Sequence, residues 1–128
     1  MKALLDTHAF LWWDLDDPHL SSLAAELIAD GETEILVSAA SLWEIALKVG
    51  HGRLELPGPV ERYVPARLAK YRFGTMSVTG EHALRVARLP MIHRDPFDRL
   101  LIAQAQIEGL PIVTADPAIG RYDVHVIW

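Results

Sequence analysis

Cysteine is absent from this chain of 128 residues. Its absence excludes disulfide bonds, thiolate nucleophiles and zinc sites built from cysteine ligands, and it favours a cytoplasmic protein. Long hydrophobic runs are absent as well, since no apolar stretch approaches the roughly 20 residues that a membrane-spanning helix needs. No signal-peptide pattern opens the chain, because Asp6 interrupts the first apolar segment. We therefore expect no membrane partner.

An excess of basic residues is also missing. The chain has 12 lysines and arginines against 17 aspartates and glutamates, which gives a net charge of −5 at pH 7. A non-specific nucleic-acid binder usually carries a basic excess, so any contact with nucleic acid must be local or bridged by a metal ion. Motifs for serine hydrolases, NTPases and dinucleotide enzymes are absent. None of the six histidines has a second histidine four residues away, which argues against a zinc hydrolase.

Strand-like and helix-like segments alternate along the chain, which favours βαβ units and a mainly parallel sheet in a single α/β domain over residues 1–128. Strands are predicted over residues 2–6, 34–38, 74–78, 111–115 and 124–127. Helices are predicted over residues 7–13, from Ser21 or Ser22 to Ala29, from Ser41 to Gly50, and over 60–71, 80–88 and 95–109. Pro65 is expected to kink its helix or to shift the start of that helix.

Acidic residues occur where the predicted strands stop or the helices start. Asp6 and Asp116 each end an apolar strand, Glu44 is predicted in the first turn of a helix, and Asp95 and Asp98 open another helix. The carboxyl ends of the strands in a parallel sheet line one edge, so we expect these side chains to converge. Converging carboxylates repel each other unless they are protonated or neutralised by a cation.

Each acid also has a structural explanation. Asp6 can cap the helix that follows it, and Asp116 can form a turn with the next proline. Glu44 fits a capping box with the serine three residues before it. Asp98 suits the positive end of a helix dipole, and Asp95 is assigned first as the N-cap. None of these roles explains why four acids lie at one edge of one sheet.

The four acids Asp6, Glu44, Asp98 and Asp116 therefore form the candidate metal site. Hard divalent cations prefer several carboxylate oxygens from different elements. Two such ions about 4 Å apart can hold the attacking and leaving oxygens of a phosphodiester. The sequence predicts a metal-dependent hydrolase in which a water molecule is the nucleophile.

Several neighbouring groups are candidates for supporting roles. The hydroxyls of Thr7 and Thr114 can orient a carboxylate or a water molecule, or they can bond to the local backbone. Arg94 and Arg99 flank the Asp95–Asp98 pair and can hold phosphates or pair with the acids. Lys48 has the same two options beside Glu44. His8 and His93 lie near the acids in sequence, and we expect surface or packing roles for both.

Four segments of the chain resemble the PIN-domain ribonucleases, and specifically the VapC-type toxins of toxin–antitoxin pairs. These segments are Leu4–His8, Val37–Ile45, His93–Ala105 and Ile112–Asp116. They occur in the order and spacing of the family across essentially the whole chain. The resemblance implies a PIN-like three-layer α/β/α sandwich with about five strands and an endoribonuclease that depends on Mg²⁺ or Mn²⁺.

The resemblance also implies roles for individual residues. The acidic quartet of the family falls on Asp6, Glu44, Asp98 and Asp116, the family's hydroxyl falls on Thr114, and an extra acid falls on Asp95. Many relatives carry another acid where this chain has Ala118, which implies a weaker second metal. We expect Asp6 and Asp116 to bind the principal ion, with Asp98 assisting. Glu44 is expected to bind a second ion or to orient the attacking water.

The expected partners follow from the same resemblance. They are an RNA substrate, a cognate antitoxin, and either a second copy of the chain or a toxin–antitoxin hetero-oligomer. The tryptophans Trp12, Trp13 and Trp43 support an interface, because two adjacent residues on a helix cannot both face one core. The alternatives are a non-catalytic module that binds RNA or protein, and a different metal-dependent nuclease or phosphatase.

Overall fold

Five parallel strands form the centre of the molecule, in the order β3-β2-β1-β4-β5. The computed structural model describes residues 1–128. The strands are β1 (Lys2–Leu5), β2 (Glu34–Ser38), β3 (Gly74–Met76), β4 (Ile112–Val113) and β5 (Val126–Ile127). The predicted strand over residues 34–38 is confirmed in full, whereas the last three strands are shorter than predicted.

Six helices accompany the sheet. They are α1 (Thr7–Asp14), α2 (Ser22–Ala29), α3 (Ala39–Gly50), α4 (Val60–Tyr71), α5 (Gly80–Arg85) and α6 (Pro96–Glu108), with short 3₁₀ helices at Val86–Arg88 and Ile119–Arg121. The second 3₁₀ helix was not predicted. α4 begins at Val60 as predicted, so Pro65 does not shift its start. No helix combines the length and hydropathy that a membrane span requires.

The alternation of side chains along β1 divides the apolar core between the two faces of the sheet. Ala3 and Leu5 belong to a large buried cluster with residues of α1, α2, α3 and α4. Leu4 faces the other way and packs with Leu101 of α6. Helices therefore cover both faces, and the predicted three-layer α/β/α arrangement is confirmed.

The two ends of α6 show how local chemistry positions Asp98. Asp95 caps α6 by accepting hydrogen bonds from the N–H groups of Phe97 and Asp98 at 2.8 and 3.2 Å. Gly109 ends the same helix with a φ of +66°, a conformation that favours glycine. The start and end predicted for α6 are confirmed, and Asp98 consequently lies in its first turn.

The predicted start of α3 is wrong. Ser38, rather than Ser41, is the N-cap, and its hydroxyl accepts from the N–H of Ala40 at 3.0 Å. The helix begins at Ala39, so Glu44 lies in its second turn and cannot form the predicted capping box. Ser41 and Glu44 are both buried.

A polar cluster joins the C-terminal end of α1 to α4. The carboxylate of Asp14 accepts hydrogen bonds from Tyr63 at 2.6 Å, from Tyr71 at 2.7 Å and from Arg67 Nε at 2.5 Å. Burial, together with this carboxylate, raises the pKa of Tyr71 to about 12, so its hydroxyl remains a donor. The cluster fixes α4 against the end of α1.

The two adjacent tryptophans have different surroundings, as the sequence predicts. Trp13 packs against the main core and against Tyr71, with ring centroids 6.0 Å apart. Trp12 is half-buried and stacks on His19 with a centroid separation of 5.4 Å. Trp128 lies 5.8 Å from Trp12.

Candidate active site

Asp6 directly follows the central strand β1, and its two carboxylate oxygens accept hydrogen bonds from two different parts of the chain. One carboxylate oxygen accepts from the N–H of Ala9 at 2.7 Å, so the residue does cap α1. The other oxygen accepts a short hydrogen bond from the hydroxyl of Thr114, after the neighbouring strand β4. Thr114 also accepts from the N–H of Asp116 at 3.0 Å. Thr114 thus makes both contacts foreseen for it, to the backbone and to a carboxylate.

Glu44 reaches the same edge of the sheet from α3. Its Oε1 accepts from the hydroxyl of Thr7 at 2.6 Å, and Thr7 Oγ1 lies 2.9 Å from Ser41 Oγ. Its Oε2 pairs with Lys48 Nζ at 2.9 Å, one turn along the helix. Lys48 therefore pairs with an acid, one of its two predicted options, and both carboxylate oxygens of Glu44 have a fixed direction.

His93 lies between Asp98 and Asp116. Its Nε2 is 3.0 Å from Asp98 Oδ2 and 2.8 Å from Asp116 Oδ2. Its Nδ1 accepts from the N–H of Asp95 at 3.2 Å. A ring nitrogen that accepts cannot carry the proton, so these hydrogen bonds assign the neutral ring proton to Nε2, facing the two carboxylates. The expectation of a surface or packing role for His93 is wrong.

His93, Asp98 and Asp116 form a tight group, and two further acids flank it. One ligand atom from each of His93, Asp98 and Asp116 lies within 4.8 Å of the other two. Asp6 and Glu44 lie around this group, each held by a threonine. The strand order accounts for the arrangement, because β2, β1 and β4 are adjacent and parallel.

The electrostatics of the site reflect this crowding of negative charge. Burial raises the pKa of Asp98 to about 7, and repulsion from Asp95, Asp6 and Glu44 contributes while His93 opposes the shift. Burial likewise raises the pKa of Asp6, against the hydrogen bonds that it accepts and with a contribution from Asp116. The only lysine or arginine paired with these acids is Lys48.

The two candidate arginines have different surroundings. Arg99 is buried, and its guanidinium donates to the carbonyl oxygens of Pro90 at 2.9 Å and Val86 at 3.2 Å. It therefore holds the loop before α6, and the prediction that it contacts phosphate or an acid is wrong. Arg94 is exposed and makes no ion pair, so it remains available to a ligand.

The residues present fit a hard divalent cation. Four carboxylates from four different parts of the chain supply oxygen donors, which suit Mg²⁺ and Mn²⁺. The raised pKa values of Asp6 and Asp98 indicate negative charge that the protein itself does not balance. His93 carries its proton toward the acids, so in this tautomer it is a hydrogen-bond donor rather than a ligand.

Sequence reasoning gave His93 and Ser41 no role at the site. The signals for His93 are its closeness to the acids in the sequence and its place two residues before the N-cap Asp95, where a ring nitrogen can accept the N–H of that residue. The sequence predicts Ser41 as the N-cap at the start of α3. Neither placement follows from residue spacing, because both depend on how α3 and α6 are rotated against the sheet.

Comparisons with known proteins support the assignment of the fold. The PIN domain family model matches residues 3–124. Ribonuclease VapC22 from Mycobacterium tuberculosis is 32% identical over 115 residues, which are 89% of this chain and 86% of that protein. Ribonuclease VapC16 from the same organism is 42% identical over 57 residues, or 44% of this chain and 39% of that protein.

Solved structures share the architecture over nearly the full length. VapBC2 from Rickettsia felis, bound to a promoter DNA fragment, has a TM-score of 0.74 at 17% identity and covers 99% of this chain and 98% of that chain. FitAcB from Neisseria gonorrhoeae has a TM-score of 0.70 at 21% identity, with coverage of 100% and 97%. The match of the family model to most of the sequence shows that the chain belongs to the PIN domain family.

Proposed function

We propose that this protein is a Mg²⁺- or Mn²⁺-dependent endoribonuclease and the toxin of a toxin–antitoxin pair. The observation that carries the proposal is the grouping of Asp6, Glu44, Asp98 and Asp116 at one edge of the sheet, with the pKa of Asp98 raised to about 7. The similarity to proteins named as VapC ribonucleases supports RNA as the substrate. The cytoplasm remains the predicted location.

The chain's residues have distinct parts in this proposal. Asp6 and Asp116 would hold the principal ion with Asp98 assisting, and Glu44 would hold a second ion or direct the attacking water. A bound divalent ion polarises the scissile phosphate and lowers the pKa of a coordinated water. Thr114 fixes the direction of the Asp6 carboxylate by donating to it.

Both carboxylate oxygens of Glu44 are held by neighbouring side chains. Its two oxygens receive a hydroxyl and an ammonium group. His93 can keep Asp98 and Asp116 at a constant separation, since its Nε2 contacts both. In-line attack by water on the phosphorus would leave a 5′-phosphate and a 3′-hydroxyl, which mapping of the product ends can identify.

The decisive experiment is cleavage of tRNA, rRNA and mRNA pools by purified Asp6→Asn, with Mg²⁺ and with chelator. The substitution keeps the acceptor for Ala9 N–H and removes one negative charge. We expect cleavage to fall at least about a hundredfold. The matched control is Asp123→Asn, an exposed acid whose side chain makes no hydrogen bond. Cleavage by Asp6→Asn at the wild-type rate would refute the proposal.

A non-catalytic binding module is the second candidate, because Asp6 and Asp95 do cap helices. Titration with Mn²⁺ separates the two functions. Saturable Mn²⁺ binding that Asp98→Asn weakens supports the nuclease. No saturable binding supports the module. The module has no explanation for Glu44 and Asp98, which cap nothing.

The antitoxin is a separate part of the proposal. The structural relatives include toxin–antitoxin complexes, among them one from Klebsiella pneumoniae with a TM-score of 0.65 at 17% identity, covering 98% of this chain and 96% of that chain. We expect a small reading frame next to this gene whose product binds the chain and inhibits cleavage. Co-expression and sedimentation of the complex test this expectation and also measure whether the chain forms a homodimer.

A further inference from the structure

A surface cavity of about 280 Å³ adjoins the acids. It lies between the second half of α3 and the first turn of α6, and Glu44 forms part of its wall. Leu47, Lys48 and His51 follow Glu44 at helical spacing, so the face of α3 that carries Glu44 continues into the cavity. Pro96 and Phe97 form the opposite wall, directly before Asp98. The cavity is therefore continuous with the candidate active site.

One side of the cavity is aromatic and apolar. Phe97 lines the cavity together with Leu47 and Pro96. Trp43 lies beside the cavity rather than in its wall and contacts Phe97 edge to face, with ring centroids 5.1 Å apart. Trp43 is 59% exposed, and Leu47 is 36% exposed. A large ring left in water beside an acidic site provides a flat surface on which a nucleobase can stack.

The other side of the cavity is basic. Lys48 has three donors and only one partner, Glu44 Oε2 at 2.9 Å. Arg53 is exposed, and its guanidinium makes no hydrogen bond or ion pair within the chain. The two acids of the cavity already have donors, since Asp95 accepts from the N–H groups at the start of α6 and Glu44 from Thr7 and Lys48. Arg53 is thus the cation of the cavity that has no partner within the chain.

We propose that this cavity binds a nucleotide adjacent to the scissile phosphate of single-stranded RNA. The base packs on Phe97 and Trp43, and the phosphate lies between Lys48 and Arg53. The proposal rests on the ribonuclease function above and adds where the strand enters. An aromatic surface beside two cationic side chains suits a stacked base with its phosphate, which favours the substrate over a partner protein as the occupant.

The test measures binding of a fluorescent single-stranded RNA of about ten nucleotides in the Asp6→Asn background with Mg²⁺. Trp43→Leu removes the stacking surface, so we expect about tenfold weaker binding and an unchanged salt dependence. Arg53→Gln removes one phosphate contact, so the slope of log K against log salt falls by about 0.7. The control is Arg72→Gln, an exposed arginine at the opposite edge of the sheet, which leaves both quantities unchanged.

Each failure has a different meaning. Mn²⁺ binding measured without the Asp6 substitution shows whether the acids are intact in both variants. If the wild-type protein cleaves RNA while Trp43→Leu and Arg53→Gln bind it normally, the cavity assignment is wrong and the ribonuclease stands. If Trp43→Leu changes only the sedimentation mass, the face is a protein interface and the assignment is also wrong. If the wild-type protein neither binds nor cleaves RNA, both proposals fail.

Discussion

Two buried carboxylates in this molecule have opposite surroundings. Asp14 has a side chain that is 1% exposed, and it accepts hydrogen bonds from Tyr63, Tyr71 and Arg67. Burial alone would raise the pKa of Asp14, yet these donors together hold that pKa below its usual range. Asp98 lies among other acids, and burial with their repulsion raises its pKa to about 7.

The difference separates a structural acid from a binding acid. Burial acts on both in the same direction, so the sign of the neighbouring groups decides the outcome. The chain supplies Asp14 with its own cation in Arg67. Around Asp98 it supplies three more carboxylates and the ring of His93. Unbalanced charge of this kind is costly in the folded protein and is typical of sites that bind a proton or a cation.

Breaking the Asp14 cluster is expected to have the largest effect. Arg67→Met leaves the carboxylate of Asp14 without its cation, so we expect the urea midpoint of unfolding to fall well below that of the wild type. Urea unfolding followed by circular dichroism measures the change. Arg62→Met, on an exposed part of the same helix and without a side-chain partner, is the control and should stay within about 0.5 kcal/mol. Equal stability of the two variants would show that the cluster is not structural.

Removing charge at Asp98 should have the opposite effect on stability. In chelator at pH 8, Asp98→Asn relieves repulsion and raises the free energy of unfolding by about 1 kcal/mol, after allowance for solvent screening. The same substitution removes a metal ligand, so Mn²⁺ affinity should fall about a hundredfold by calorimetry. A variant that is destabilised in chelator would contradict the electrostatic account of this site.

Thr114→Val tests the orientation of Asp6 without changing any charge. The substitution keeps the shape of the side chain and removes the hydroxyl that donates to Asp6 and accepts from Asp116 N–H. We expect Mn²⁺ affinity to fall about tenfold, the usual scale for a group that orients a metal ligand. Thr114→Ser retains the hydroxyl and should restore the affinity. Failure of the serine to restore it would point to a packing effect instead.

The pH dependence of stability distinguishes the two carboxylates directly. The folded pKa of Asp98 is above its ordinary value, so the chelated protein should lose about 1 kcal/mol as the pH rises from about 4 to 8. The folded pKa of Asp14 is below its ordinary value, so its contribution is lost only as the pH falls below about 4. Asp98→Asn should reduce the first slope, leaving the share that the raised pKa of Asp6 contributes, and should not change the second. A wild-type slope that persists in Asp98→Asn would assign the titration to another group.

The helix ends that are set by residues adjacent in the chain were predicted best. Asp95 followed by proline identified the start of α6, and Gly109 identified its end, because capping depends on residues next to each other in the chain. The start of α3 was missed because Ser38 and Ser41 are equally good caps by residue type. That single error moved Glu44 from the second turn to the first and produced a capping box that the structure does not contain.

The supporting residues of the site were predicted less well than the acids. The sequence predicts phosphate or an acid as the partner of Arg99, yet the guanidinium donates to carbonyl oxygens of the preceding loop. It predicts a surface or packing role for His93, yet His93 joins Asp98 to Asp116. Direction around a helix axis, rather than position in the chain, decides such contacts, and apolar packing sets that direction.

The amino-acid sequence by itself determined the alternation of strands and helices and the edge at which the acids lie. Both depend on periodicity and on the parallel pairing that βαβ connections impose. Only the tertiary structure decided that β1 lies between β2 and β4, that His93 contacts two of the acids, and that Asp98 has a pKa near 7. These properties arise from distances between residues far apart in the chain, and strand order and helix rotation set those distances.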